Sequence, residues 1–415
     1  MSAAARVAPS PSPSPRAATP RPSRARRARC ASRSRVVVVA RASSNAAAST
    51  SSADASSSSH DDERVDARYR WRGHDVHYER SGRVDASRHV VLLHGFGVGT
   101  FHYESQLAEL PMMMGEEAQL CVWAIDLVGQ GASWPPAGEA AAPGFRYSVE
   151  TWRDQIEDFL ERVHLAGGDG GEKKKRAVYL AGNSLGGYLA TYVAASCANE
   201  DLIRGVILLN ATPFWAFTSA DDAKWAPWKG ALPTPRWIRA PLRLYWDSFR
   251  SAANVKGLLS LVYDSKERVD DALVENIIAP TNDANALDAF CSVVWSPKAS
   301  IDFDEMLRRL REERRGVKIA LMYGREDPWV VPLWGQRAKR AAPAATYYEI
   351  EKCGHCPAHE SPRVVNELIA KYVDWCERGC VGDAPEGSAC GVGRLVDGSP
   401  RNFFERADAA VAGSR

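Results

Sequence analysis

No acidic residue precedes Asp54, and the longest apolar run in that opening stretch, Val36-Val-Val-Val-Ala40, is very short. A membrane span needs about 20 apolar residues and a secretory signal an apolar core of about 7 to 15, so neither is encoded there. What the stretch does hold is ten arginines among many alanines, serines and prolines, the composition of an organelle transit peptide. Residues 1–60 are therefore read as a transit peptide, processed after Ala40, and a linker with too little apolar surface to fold. Removing residues 1–53 takes the formal charge from +2 to −8. The mature protein is then acidic, and a nucleic-acid partner is not expected.

Cysteine is also sparse: eight of the nine lie beyond the opening segment, at scattered spacings that suggest free thiols. No second C-x-x-C accompanies Cys353-Gly-His-Cys356, and Cys376 with Cys380 supplies only a helical pair, so no metal site is expected. The same four residues spell a disulfide-isomerase site. There, however, the pair opens a helix after an early strand of a small domain, whereas here it closes the last strand of a large one and runs into Pro357.

What is present is Gly182-Asn-Ser-Leu-Gly186, directly after the apolar run Ala177-Val-Tyr-Leu-Ala181. A serine held on a sharp strand-to-helix turn needs glycines two residues to either side, because the tight crossing leaves no room for Cβ atoms. The run Val317–Tyr323 then ends in Gly324-Arg-Glu-Asp327-Pro, and Thr346–Ile350 is followed by Cys353-Gly-His355. Chain order Ser, Asp, His, with the last two in loops after late strands, is that of the α/β-hydrolase triad. Ser184, Asp327 and His355 are the candidate catalytic residues, and the amides of Leu185 and of Phe96, in His94-Gly-Phe-Gly97, the candidate oxyanion hole. Each has a rival. Glu326 adjoins Asp327, although Pro328 favours the latter at the turn. A second place for the acid, after Gly205–Leu209, holds the uncharged Asn210. His359 is the rival base, read as a solvated residue at a helix start. His94 is expected to hold the glycine loop rather than to react.

Strand-like runs at Val90–Leu93, Leu120–Asp126, Val178–Ala181, Val206–Asn210, Ile319–Tyr323 and Tyr347–Ile350 alternate with helical segments. Such alternation means parallel βαβ units covered on both faces. The expectation is an α/β class protein with the α/β-hydrolase fold: a mostly parallel, doubly wound sheet over residues 61–380, with a helical lid at about 213–300 after the sixth strand. The tail 381–415 is Gly-rich and expected to be loosely attached. The lid holds six of the thirteen tryptophans, most of them expected to pack it against the core. Phe214 and Trp215, at the strand end, are expected to line the pocket. An aromatic roof suits a large hydrophobic substrate.

Several segments carry a closer likeness. Gly95-Phe-Gly-Val-Gly-Thr-Phe-His-Tyr-Glu104, Gly182-Asn-Ser-Leu-Gly-Gly-Tyr188, Leu209-Asn-Ala-Thr-Pro-Phe-Trp215, Leu321-Met-Tyr-Gly-Arg-Glu-Asp-Pro-Trp-Val330, Gly354-His-Cys-Pro357 and, within the lid, Trp225-Ala-Pro-Trp-Lys-Gly-Ala-Leu-Pro233 resemble the pheophytinase family. These are chloroplast α/β-hydrolases that remove phytol from pheophytin. The likeness runs from about residue 70 to 380. It implies a chloroplast stromal esterase without cofactor, a tetrapyrrole phytyl ester as substrate, Phe101 and Trp329 as further substrate-binding residues, and peripheral contact with the thylakoid membrane or with other proteins of chlorophyll breakdown. Because the mature surface is acidic, membrane contact is expected to rest on apolar lid residues and to depend little on salt. His94 stands where the family pattern has proline, and Ala358-His359 where it has His-Asp. A paralogue acting on chlorophyll itself, or a plastid lipid or isoprenoid esterase or thioesterase, is the alternative; a hydrolase-like receptor is another. Haloalkane and epoxide hydrolases use an aspartate nucleophile where this chain has Ser184.

Overall fold

The computed structural model describes residues 64–386, apart from 115–118, 166–175, 200–201, 213–235 and 297–298. The expected transit segment, most of the tail, and Phe214, Trp215, Trp225 and Trp228 of the lid lie outside the described residues.

Eight strands form one sheet: β1 (Val65–Trp71), β2 (His74–Ser81), β3 (Arg88–Leu93), β4 (Leu120–Ile125), β5 (Ala177–Asn183), β6 (Gly205–Leu209), β7 (Lys318–Gly324) and β8 (Thr346–Ile350). Their spatial order is β1-β2-β4-β3-β5-β6-β7-β8. From β4 to β8 every neighbouring pair is parallel. The antiparallel β1–β2 hairpin was not among the sequence-predicted strands. Its apolar residues are diluted by charge, so it lacks the continuous apolar runs of the central strands. The period-two signal is nonetheless there: Ala67, Tyr69 and Trp71 are buried while Asp66, Arg68 and Arg70 alternate outward. Arg72 and Gly73, at φ 44° and 86°, close it in the left-handed conformations that a two-residue hairpin turn requires.

Alternation along the central strands sends their side chains into two cores. On one face Val91, Leu93, Leu180, Val206, Leu208 and Leu321 pack with buried residues of α2 (Val149–Leu165), α3 (Leu185–Ser196) and α8 (Phe303–Glu312). On the other, Val90, Leu92, Ala181, Ile207, Ala320 and Met322 meet α1 (Glu104–Glu109) and α11 (Pro362–Glu377). Truncating one of these leucines to alanine costs about 2–5 kcal/mol, which makes the sheet a rigid platform.

Register brings the strand ends together. Leu93 lies opposite Gly182, Asn183 opposite Leu209, Leu209 opposite Met322, and Gly324 opposite Ile350. The loops leaving β3, β5, β6, β7 and β8 therefore start along one edge, the place where ligands bind in open α/β sheets. Between β6 and β7 the chain leaves the sheet for α4 (Arg236–Phe249), α5 (Ala252–Val262), α6 (Asp271–Ile278) and α7 (Ala286–Val294). The Asp270 carboxylate caps α6 by accepting the Leu273 N–H at 2.7 Å, and Asp302 caps α8 through Glu305 N–H at 2.8 Å. The elements α9 (Pro332–Ala341) and α10 (Pro357–Glu360) flank β8 in sequence. No described helix is long and apolar enough to cross a membrane.

Candidate active site

Ser184 sits between β5 and α3 at φ 53° and ψ −116°, a conformation that costs a non-glycine residue of order 1–3 kcal/mol. The surroundings enforce it. A Cβ on Gly186 would lie 1.9 Å from the Leu93 carbonyl oxygen, and one on Gly182 2.3 Å from the Gly186 carbonyl. The Ser184 N–H donates to the Leu209 carbonyl at 2.9 Å, and its own carbonyl accepts from Thr212 at 3.3 Å. The turn is thus pinned to the end of β6.

Asp327 and His355 meet directly: His355 Nδ1 lies 2.6 Å from Asp327 Oδ2. Asp327 is buried and its two oxygens accept three further donors: Trp329 N–H at 2.7 Å and Val330 N–H at 3.1 Å on Oδ1, and Asn210 Nδ2 at 2.7 Å on Oδ2. The rival Glu326 is exposed. Asn210, considered as the alternative acid position, instead holds the acid from the neighbouring strand end. It stands at φ 42°, and its Oδ1 accepts the Gly324 N–H at 2.8 Å. Burial alone would lower the His355 pKa, but the charge and hydrogen bond of Asp327 outweigh it and leave the imidazole raised above its ordinary 6.5.

The His355 loop is clamped by residues that sequence reasoning did not single out. Asn183, beside the serine, donates from Nδ2 to the His355 carbonyl at 2.8 Å and to the Leu209 carbonyl at 3.0 Å. Buried Glu360 accepts Gly354 N–H at 3.1 Å and Cys356 N–H at 3.0 Å, on either side of His355. The same carboxylate accepts Asp264 and Ser265 N–H, at 2.8 and 3.1 Å, from the lid segment after α5. His355 N–H itself donates to the Val262 carbonyl at 2.9 Å. The lid and the His355 loop therefore share one set of hydrogen bonds. The only local clue is that Glu360 follows Gly354 and Cys356 by six and four residues, which says nothing about the lid.

The loop after β3 lies against the serine, since a Cβ on Gly95 would come 3.5 Å from Ser184 Cβ. His94 holds it as expected. The Leu127 N–H donates to His94 Nε2 at 3.0 Å, which leaves Nδ1 to donate to the Gly95 carbonyl at 2.7 Å. Gln130 Oε1 accepts the Gly97 N–H at 2.7 Å. The Tyr103 hydroxyl donates to the Leu93 carbonyl at 2.7 Å and accepts the Asn183 N–H at 3.2 Å, joining the two strand ends. Leu185 is the first residue of α3, where amides have no intrahelical acceptor and the helix dipole is positive. Phe96, the other candidate donor, lies on the loop between Gly95 and Gly97.

Above this loop stands an aromatic group. The Phe96 ring lies 6.0 Å from Phe290 of α7, which lies 5.5 Å from Trp246 and 5.3 Å from Phe249 of α4. Trp329, 56% exposed, has its ring 5.8 Å from that of His355. Phe101 packs with Val262, Tyr263 and Leu273, and lines a separate cleft of about 780 Å³ together with His77, Asp126, Trp134 and Pro280. His359 is not a solvated residue: it is half-buried, stacked on His102 at 5.0 Å, with Nδ1 3.3 Å from the Tyr263 hydroxyl. Tertiary packing of the lid end accounts for that. Cys353 and Cys356 are free thiols, and burial pushes both up from the ordinary range, against thiolate chemistry at neutral pH.

The chain belongs to the α/β-hydrolase family, whose model matches residues 90–368. It is 39% identical over 335 residues to the chloroplastic pheophytinase of Arabidopsis thaliana, covering 73% of this chain and 65% of that protein. The match thus spans less than two thirds of that relative's length. It is also 24% identical over 290 residues to a 2-hydroxy-6-oxononadienedioate/2-hydroxy-6-oxononatrienedioate hydrolase of Cupriavidus pinatubonensis, covering 68% of this chain and 86% of that one. Among solved structures, a thermophilic esterase from Thermogutta terrifontis superimposes with a TM-score of 0.53 at 20% identity, over 76% of this chain and 98% of its own. That likeness is one of fold.

Proposed function

We propose that this hydrolase is a chloroplast carboxylic-ester hydrolase that removes phytol from pheophytin to give pheophorbide. The observation that carries the reading is the joining of a strained serine elbow and a buried His355–Asp327 pair at one sheet edge, beneath the Phe96, Phe290, Trp246 and Phe249 rings. The pheophytinase relative supports the choice of substrate. A planar macrocycle finds offset or edge partners in such a group, and a long isoprenoid chain needs an apolar channel.

Ser184 Oγ gives its proton to His355 Nε2 and attacks the propionate ester carbonyl. The oxyanion is held by the amides of Leu185 and Phe96. Collapse of the tetrahedral intermediate breaks the bond to phytol, whose oxygen takes the proton from His355, leaving an acyl-serine. Water, deprotonated by the same histidine, attacks that acyl group, and the carboxylate departs as Ser184 recovers its proton. Asp327 holds the imidazole with its Nδ1–H inward and stabilises the imidazolium.

The test is pigment hydrolysis by the purified protein, comparing pheophytin with chlorophyll and wild type with Ser184→Ala. Pheophorbide from wild type, little chlorophyllide, and a rate lowered roughly 10³- to 10⁶-fold in the variant are expected. Preferential release of chlorophyllide would make the protein a chlorophyll dephytylase. Turnover of galactolipids or acyl thioesters without any pigment product would overturn the substrate and keep the nucleophile.

A further inference from the structure

The lid carries an apolar face that the catalytic site does not use. Helix α4 is apolar on two sides. Its Trp246 and Phe249 turn toward Phe290, while Trp237, Leu244 and Tyr245 stand 69%, 90% and 54% exposed. Positions 237, 241, 244, 245 and 248 fall on one helical stripe, and Pro241 and Ser248 on it are exposed as well. Helix α5 adds Leu258 and Leu261, 44% and 65% exposed. Trp237 was among the tryptophans expected to pack inward. Contiguous large apolar side chains of this kind mark an interaction surface.

Charge identifies the occupant. Residues 236–262 contain Arg236, Arg239, Arg243, Arg250 and Lys256 against a single acid, Asp247, whereas the chain beyond residue 53 carries a formal −8. Arg239 pairs with Asp288, Arg250 with Asp247 and Lys256 with Asp271, which leaves the charge of the face to Arg243, exposed between Arg239 and the Leu244–Tyr245 pair. A second copy docked by two-fold symmetry would set this basic face against itself. An anionic lipid surface meets both features, and contact through Arg243 should then respond to salt more than the acidic overall charge led us to expect. Trp, Tyr and Leu insert at the headgroup boundary, and arginine stems lie along the apolar surface while their heads reach phosphate or sulfonate groups.

We propose that the α4–α5 face docks the protein on an anionic lipid surface. The proposal rests on the substrate reading above, because a phytyl ester resides in lipid. Helix α4 then spans the path, with lipid on its outer face and the Phe290 platform on its inner face.

The test is co-sedimentation of the full chain with vesicles of phosphatidylcholine alone or mixed with phosphatidylglycerol. The wild type is expected to bind the mixed vesicles, and Trp237→Ser with Leu244→Asp to lower that affinity about tenfold or more. Arg243→Glu should weaken binding severalfold and flatten the part of it that salt removes. Both variants should hydrolyse a water-soluble nitrophenyl ester at the wild-type rate, which shows that they fold. Wild type left in the supernatant with mixed vesicles, or a double variant that binds as wild type does, overturns the proposal. So does a wild-type dimer that the double variant converts to monomer. Pheophytin dispersed in detergent separates the two ideas: failure to cleave it overturns the substrate reading, while sedimentation decides the docking by itself.

Discussion

Around Asp327 polar groups are densely paired, whereas across the lid large apolar side chains stand in solvent. The Asp327 carboxylate accepts two backbone amides, the Asn210 side chain and the His355 ring; Leu244 is 90% exposed and Trp237 69% exposed. The first region holds a fixed geometry, as the proposed general base requires, since such a group must keep its orientation within hydrogen-bond tolerance. The second, on the docking proposed above, offers contact area to a lipid surface. Glu360 belongs to both, gripping the amides beside His355 and those of Asp264 and Ser265 with one carboxylate.

The contrast can be broken at either end. The largest effect on the paired region is expected from Asp327→Asn, which removes the charge that stabilises the imidazolium. It should lower kcat about 10⁴-fold in single-turnover assays with a soluble ester, and, because its amide NH₂ would face donors whichever way it is turned, lower the melting temperature as well. Glu360→Gln places an amide NH₂ among backbone donors. It should cost about 1–3 kcal/mol of stability and lower kcat for pigment and soluble ester alike by about tenfold. An unchanged kcat would remove Glu360 from the positioning of His355. Phe290→Ala tests the lid side: the KM for pigment should rise roughly threefold to tenfold while turnover of a nitrophenyl ester stays the same. Equal losses on both substrates would show that Phe290 only packs.

A smaller effect concerns pH. In the proposed mechanism His355 must be neutral to accept the serine proton, and its pKa is raised, so kcat/KM should fall with acidification through a midpoint above 6.5, and Asp327→Asn should move that midpoint down. Stability has the opposite sign. A histidine raised in the folded state contributes stabilisation fully present below its unfolded pKa, about 6.5, and lost as pH rises through the folded value. Denaturation across that window separates the two effects.

Much of the candidate active-site edge was legible because its signals are local. Gly182 and Gly186 stand where sterics forbid a Cβ, and the runs before Ser184, Asp327 and His355 are short and apolar apart from Lys318 and Glu349, enough to read as buried strands. The β1–β2 hairpin was missed because alternate positions are charged and its buried half amounts to Ala67, Tyr69 and Trp71. Asn210 was weighed only for a charge it lacks. Its bond to Asp327 spans 117 positions and has no trace in either segment alone. His359 looked like a solvated residue because its partners, His102 and Tyr263, come from distant segments of the chain, Tyr263 lying 96 positions away.

By itself the sequence determined the sheet-and-lid architecture, the sharp turn at Ser184 and the order in which acid and histidine follow. Those depend on steric and apolar patterns within a few residues, which a linear chain carries in full. Tertiary structure alone decided that Asn210 holds the acid, that Glu360 joins the histidine loop to the lid, and that Trp246 faces the aromatic group while Trp237 faces outward. The physical reason is that hydrogen bonds and ring contacts depend on distances between segments far apart in the chain, and only the strand register and the seating of the lid set those distances.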